Sequence, residues 1–359
     1  MRSNFRTKWM PVGEPMTDPV ASILIPTRNR AQLLPATLQS AQRQRLDSLE
    51  IVVIDDASDD DTESVAQRAQ ALDQRVRYVR LENREGACHA RNLGLKLTGA
   101  PYVQFLDSDD LLHPEKLSFQ ASLLDNNPAA DLAVCQVGLF LKSPGDTDRL
   151  WNTFQRPDVL GRWLRHDNPW VTVAPLWRRS ALVRFGGFEE SLETSQDFEH
   201  ASRSMALGAE ALLHPHLLAY YRLPSGPTIG TETLSLRNGA HLYVFRRVFE
   251  ILSGRGELNS ERARDLADSL LWVASNAVAM AEATVAREAL DFACRLRPDL
   301  PADLHSLIAD LDRLQPKEAI ARLESHFDRS VREGWWGKAR IGTEPLEPVP
   351  RSAFRRRSQ

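Results

Sequence analysis

Three carboxylates fall within four positions at Asp107-Ser108-Asp109-Asp110, directly after the apolar stretch Tyr102–Leu106. Carboxylates that close repel one another unless a cation offsets them. Hard divalent ions take oxygen ligands and complete their shells with substrate phosphates, so the run suits Mg2+ or Mn2+ bound together with a diphosphate. A second acidic run, Asp55-Asp56-Ala57-Ser58-Asp59-Asp60-Asp61, follows the apolar stretch Leu49–Ile54. Its later members lead into Thr62 and Glu63 and read as helix caps. No GxxxxGK[ST] and no GxGxxG follows the first apolar stretch, so neither a P-loop nor a dinucleotide fingerprint explains phosphate binding. A nucleotide held by metal and carboxylates suits a leaving group.

The elements that carry these acids alternate in type. The apolar run Val20–Ile25, stopped by Pro26, precedes a helical pattern through Leu34, Leu38 and Ala41. The run Leu49–Ile54 precedes a helix through Val65, Ala69 and Leu72; the short strand Val76–Arg80 precedes a helix through Ala90 and Leu93, and Tyr102–Leu106 follows. Strand and helix in alternation predict parallel βαβ units and an α/β, doubly wound sheet. Ligands of such sheets sit outside the carboxyl ends of the strands. Here those ends are Pro26-Thr27-Arg28-Asn29-Arg30 and the two acidic runs.

Composition narrows the class further. The 359 residues carry 45 Lys plus Arg against 48 Asp plus Glu, a net charge of −3, which argues against a nucleic-acid partner. At 42% hydrophobic and 26% charged residues the chain is ordinary globular protein. No apolar run approaches the roughly 20 residues that span a bilayer. Cys88, Cys135 and Cys294 are widely spaced and never paired as CxxC, against both a disulfide framework and a zinc site. Met1–Pro19 has basic residues without a following apolar region, so residues 1–19 read as a flexible lead-in to a cytoplasmic protein.

Five blocks resemble, in order and spacing, the signatures of family 2 glycosyltransferases with the GT-A fold. They are Ser22-Ile-Leu-Ile-Pro-Thr-Arg-Asn-Arg30, Glu50-Ile-Val-Val-Ile-Asp-Asp-Ala-Ser58, Gly86-Ala-Cys-His-Ala-Arg-Asn-Leu-Gly94, Phe105-Leu-Asp-Ser-Asp-Asp110, and Gly186-Gly-Phe-Glu-Glu-Ser-Leu192 followed by Gln196-Asp197. The resemblance implies a Rossmann-like, mostly parallel sheet flanked by helices, a nucleotide-sugar donor with uridine as the family-weighted base, a divalent metal, and inversion by direct displacement. It also implies that Pro26, Thr27 and Arg30 line the nucleotide, that Asp56 recognises the base and that Arg91 contacts the donor. Asp107 and Asp109 match the DXD element that binds ribose and metal, with Ser108 between them at the donor, and Asp197 matches the catalytic base. That logic is physically coherent: a dication stabilises the diphosphate leaving group, and one carboxylate activates the acceptor hydroxyl. The acceptor class, whether glycan, lipid-linked, protein or small molecule, is open.

The chain departs from the pattern in two places. Gln196 stands where the family most often has Glu, leaving one acid of a usual pair. After Tyr220-Tyr-Arg222 the sequence continues Leu-Pro-Ser-Gly-Pro-Thr, without the histidine many members carry there. His214 and His216 read as packing or surface residues, His89 as a pocket residue, and Trp170 and Trp177 as core with sugar stacking as the sharper alternative. Two other classes compete: a sugar-nucleotide nucleotidyltransferase, against which the missing glycine-rich basic loop speaks, and a non-catalytic nucleotide-sugar binder, which Gln196 and the absent histidine would suit.

Beyond Thr231 the period becomes helical only, with apolar faces at Leu242–Leu252, Leu266–Met280, Ala286–Leu296, Leu304–Leu314 and Ile320–Phe327. The expected layout is a catalytic domain over 20–230, a helical subdomain over 231–334 serving docking, acceptor binding or formation of a homo-oligomer, and a Pro/Arg-rich tail over 335–359. Trp335-Trp336 and Arg355-Arg356-Arg357 give that tail the chemistry for peripheral contact with an anionic membrane at its inner face, against a background of solvated disorder.

Overall fold

The computed structural model describes residues 18–326 apart from 47, 152, 155–157, 224–235, 303, 305 and 308–314. The lead-in before Asp18, most of the expected 304–314 helix and the whole 335–359 tail lie outside the described residues.

Eight strands form a single sheet: β1 (Ala21–Thr27), β2 (Leu49–Asp55), β3 (Val76–Arg80), β4 (Tyr102–Phe105), β5 (Leu111–Leu112), β6 (Leu132–Phe140), β7 (Pro175–Arg178) and β8 (Ala211–Arg222), in the order β3-β2-β1-β4-β7-β6-β8-β5. The first half, β3-β2-β1-β4, is parallel throughout, as the alternation with helices α1 (Leu34–Gln42), α2 (Thr62–Leu72) and α3 (Ala87–Leu97) predicts. The second half is mixed. β7 runs antiparallel to β4 and β6, β5 antiparallel to β8, and β6 and β8 are parallel. Helix α4 (Lys116–Asn126) connects β5 to β6, and α5 (Val159–Leu164), α6 (Arg179–Phe185) and α7 (Gln196–Ala206) lie between β6 and β8. The architecture is the mixed, helix-flanked GT-A type.

Strand β1 does not stop at Pro26. Leu24 accepts a backbone bond from Leu106 on the β4 side and Thr27 one from Asp56 on the β2 side. By that alternation Pro26 turns its missing N–H toward β4, which has already ended at Phe105, so no ladder bond is lost. The helix expected through Val65, Ala69 and Leu72 is α2, which buries Thr62 and Ala66 and leaves Leu72, its last residue, 81% exposed. Helix α3 lies close on the sheet because Gly94 leaves no room for more: a Cβ there would meet Ile54 Cδ1 at 2.9 Å.

Among the described residues, helices α8 (Arg237–Gly254), α9 (Ser260–Ala279), α10 (Ala283–Leu296) and α11 (Pro316–Glu324) follow. Their apolar faces continue the core of the sheet without a break, from Ile23 and Val52 through Trp163 and Phe198 to Phe245, Leu270 and Leu290. Burying each such large apolar side chain contributes about 1.5–3 kcal/mol. Polar ties fix the junction: Ser269 Oγ donates to the Leu164 carbonyl at 2.6 Å, and Arg165 pairs with Asp265 at 2.8 Å. No described helix is long and apolar enough to cross a membrane. The three cysteines are free and buried.

Candidate active site

The loop after β1 is locked to the loop after β2 by short polar side chains. Asn29, at φ +51°, donates its backbone N–H to Ser58 Oγ at 2.9 Å, and its own Oδ1 accepts from Asp59 N at 2.9 Å. Arg30 N donates to Thr62 Oγ1 at 2.9 Å. Capping of α2 falls to Asp60, whose carboxylate accepts from Thr62 and from Ala31 N, whereas Asp61 in the cap position makes no side-chain bond. Asp55 is wholly buried and internal, accepting from Ser58, Tyr78 and Arg80. Its neighbour Asp56 accepts from Glu85 N at 2.6 Å and Gly86 N at 3.1 Å and so fixes the start of α3. Thr27 and Pro26 end β1 beside Asp56; Thr27 is buried and its Oγ1 has no partner among the described residues.

The acidic turn after β4 divides its three carboxylates. Asp110 is buried and inward: its carboxylate accepts from Arg222 N at 2.9 Å, and its carbonyl accepts from Thr37 Oγ1 at 3.0 Å. Burial and the two neighbouring acids push its proton affinity well above the ordinary carboxylate range. Asp107 points the other way, into an ion pair with Arg91 at 2.6 Å. Asp109 makes no ion pair among the described residues; burial and Asp107 raise its pKa, while the Arg30 and Arg222 charges oppose the rise. Ser108 is buried between them. Arg222, at the end of β8, clamps the turn by donating from Nε to the Asp109 carbonyl at 2.9 Å. Those bonds make Arg222 part of the site's frame, a role that its place in the sequence does not announce.

Arg91 joins this turn to the helix that carries Asp197. Its guanidinium is buried, donates to Asp107 Oδ1 at 2.6 Å and to Gln196 Oε1 at 3.0 Å, and lies over the Phe188 ring at 4.9 Å. Gln196 completes the link by donating from Nε2 to the Leu192 carbonyl at 3.0 Å. A glutamate there could accept from Arg91 but could not donate to Leu192, so the amide suits its surroundings. Asp197, next along α7, accepts from Phe198 N at 2.9 Å, and burial with the Asp107 charge raises its pKa, against the Arg91 charge. Of the expected site residues, Pro26, Thr27, Asp56, Arg91, Asp107, Ser108, Asp109 and Asp197 thus gather where β1, β2 and β4 end and α7 begins. Arg30 reaches them through its charge.

Asp197 borders a narrow apolar cleft whose walls carry Phe105, Trp163, Trp170, Trp177, Phe188 and His200. Both Trp170 and Trp177 are buried and line it at once, which reconciles the core and binding readings of these residues. Behind Asp197, Phe198 is clasped by the rings of Trp163, His166, His241 and Phe245 at centroid distances of 4.9–5.8 Å. Burial keeps His166 neutral, with its pKa down to about 3, and drives His241 well below the usual histidine range. The loop before α7 is held by Arg203, which pairs with buried Glu199 at 2.6 Å and donates to the carbonyls of Phe185 and Gly187. Glu199 is shared with Arg247 of α8 at 3.6 Å, and Arg247 also pairs with Glu189 at 3.1 Å.

His214 and His216 pack on Phe119, away from the acidic turn, as the packing reading expects. His89 pairs with Glu190 at 3.0 Å instead of facing the cleft. Asn92 helps fix the same block: it bonds Phe188 N and O, and a Cβ on Gly187 would strike its side chain.

The model of the family described as Glycosyl transferase family 2 matches residues 22–190. The GalNAc(5)-diNAcBac-PP-undecaprenol beta-1,3-glucosyltransferase of Campylobacter jejuni is 42% identical over 101 residues, 28% of this chain and 33% of that protein. The succinoglycan biosynthesis protein ExoU of Rhizobium meliloti is 30% identical over 197 residues, 52% of this chain and 57% of that protein. The chain spans less than two thirds of the length of these curated relatives. The crystal structure of S. aureus TarS 1–349 in complex with UDP-GlcNAc shares the fold, with a TM-score of 0.63 at 17% identity over 88% of this chain and 92% of that one. The segment that is similar to glycosyl transferase family 2 holds Thr27, Asp56, Arg91 and the acidic turn.

Proposed function

We propose that this chain transfers a sugar from a uridine diphosphate sugar to an acceptor hydroxyl with inversion at the anomeric carbon. One observation carries the reading: the buried Arg91 binds Asp107 at the strand end and Gln196 beside Asp197, so a single cation ties the acidic turn to the start of the helix that carries Asp197. The TarS structures with UDP-GlcNAc and UDP support the choice of uridine.

The carboxylate oxygens of the acidic turn are the ligand type a divalent cation takes, although no group of three or more His, Cys, Asp or Glu among the described residues is arranged to hold one. Asp109 makes no ion pair among the described residues, and burial, with Asp107 beside it, raises its proton affinity. Asp109 and Asp107 would hold Mg2+ or Mn2+, which when bound neutralises charge building on the diphosphate. Asp56, Thr27 and Arg30 receive the nucleotide. Asp197 takes the acceptor's proton as that oxygen attacks the anomeric carbon, and the bond to the diphosphate breaks on the opposite face. Its raised pKa makes it a better base than an exposed aspartate. Arg91 orients Asp107 and, through Gln196, the first turn of α7.

The test is direct. Purified protein with Mn2+ and UDP-sugars should release UDP, slowly without acceptor, and chelation should abolish both release and donor binding. Undiminished donor affinity after chelation removes the metal from the reading. Release of pyrophosphate from a nucleoside triphosphate and a sugar phosphate would replace transfer by nucleotidyl chemistry.

A further inference from the structure

Glu189 and Glu190 are neighbours in the block that leads from Gly186 to α7, yet their carboxylates go to different parts of the chain. Glu190 turns to α3, where it accepts from Asn92 Nδ2 at 2.8 Å and meets His89 at 3.0 Å. Glu189 turns to α8, where Tyr243 donates to it at 3.2 Å and Arg247 pairs with it at 3.1 Å. Phe188 lies beside these two ties: Asn92 bonds its backbone N and O, and its ring lies against the Arg91 guanidinium. The block is therefore a strap drawn between α3 and α8, and it runs on into the turn where α7 and Asp197 begin.

Arg247 holds the α8 end of the strap and α7 at the same time. Its Nη1 takes Glu189, and its Nε faces Glu199, which is wholly buried two residues after Asp197, at 3.6 Å. An exposed ion pair alone is worth little, but a buried carboxylate needs its cations, and Glu199 has Arg203 and Arg247 for that. Tyr243, one turn earlier on α8, steadies the guanidinium by accepting from Nη1 at 2.6 Å. The adjacent Arg246 goes elsewhere, to Glu288 of α10 at 2.9 Å. We propose that Arg247 is a positioning residue for the transfer: through Glu189 and Glu199 it sets the strap and the first turns of α7, and so places Asp197 against Arg91 and the acidic turn. The inference rests on the transfer reading above and adds what α8 does for that site.

The full chain and its variants are compared by UDP release from UDP-Glc and UDP-GlcNAc with Mn2+, and by calorimetric Kd for UDP. Arg247→Met should lower kcat by about tenfold or more, because a small misplacement of a reacting group is costly, with the Kd for UDP kept within about twofold. Arg247→Lys, which keeps a cation beside the two glutamates, should recover much of the loss. Glu189→Gln should lose kcat in the same direction, and the double variant no more than Arg247→Met alone, since the two changes cut one tie. Arg246→Met removes an exposed pair from the same helix and should leave kcat at the wild-type level. Full kcat in Arg247→Met, an equal loss in Arg246→Met, or a loss confined to Kd overturns the positioning role and leaves the transfer reading standing. No UDP release by the wild type removes that reading and the inference with it. Should Arg247→Met fail to fold, Glu189→Gln against Arg246→Met makes the same comparison.

Discussion

The strand ends and the start of α7, the two walls of the candidate site, hold their carboxylates by different means. On the strand side, Asp56, Asp107, Asp109 and Asp110 sit at the ends of β2 and β4, fixed by backbone amides, by Arg222 and by Arg91. On the helix side, Asp197 stands on α7 over a packed platform of Phe198, Trp163, His166, His241 and Phe245, two of whose members come from α8. Charge is dense on the first wall and solitary on the second. Under the proposed transfer, the many carboxylates of the first wall suit a cation bound with a diphosphate, and the single carboxylate of the second, with its raised pKa in an apolar frame, suits a base.

The largest effect that separates the walls is expected at Asp197. Asp197→Asn should cut transfer by about 10²–10⁴-fold while donor binding, measured by calorimetry, stays intact; unchanged turnover would dissolve the division. The cross-link comes next. Arg91→Met leaves Asp107 and Gln196 without their partner and should destabilise the fold by about 1.5–3 kcal/mol in urea unfolding, with loss of donor affinity. A third test uses pH. Asp197 must be deprotonated to act and its pKa is raised, so transfer should rise with pH through an ionisation above the ordinary aspartate range, and a profile already flat from pH 4 would contradict it. The smallest effect concerns Asp109 without metal. A carboxylate whose native pKa is raised keeps its proton longer in the folded than in the unfolded state, so it weakens folding as pH rises through the carboxylate range. Asp109→Asn should therefore raise the Tm of metal-free protein at pH 7, and should remove the stabilisation that Mn2+ confers on the wild type.

Much of the strand wall is legible in the sequence, since each acid directly follows an apolar run whose period marks a strand, and the parallel half of the sheet follows from alternation. The second half of the sheet is less legible. β7 is four residues and β5 two, too short for a period, and their antiparallel pairing depends on partners distant in the chain. Leu72 continues the spacing of Val65 and Ala69, which pack against the core, but stands at the last position of α2 and is exposed. Arg247 carries no local signal, because the acids it meets, Glu189 and Glu199, lie far earlier in the chain. Gln196 looks like a lost acid in the sequence and becomes a hydrogen-bonded bridge only when Arg91 and Leu192 are seen on either side of it.

The order of apolar runs and their acidic ends determine the parallel core and where its acids stand, because local period and strand-end chemistry are properties of contiguous residues. Which carboxylate is buried, paired or left open is decided by tertiary structure alone. Asp107, Asp109 and Asp110 are neighbours of the same type, and only the arrival of Arg91 from α3 and Arg222 from β8 gives them different surroundings. The same holds for Asp197: its apolar frame is assembled from α5, α7 and α8, and a pKa is raised by the water such a frame excludes.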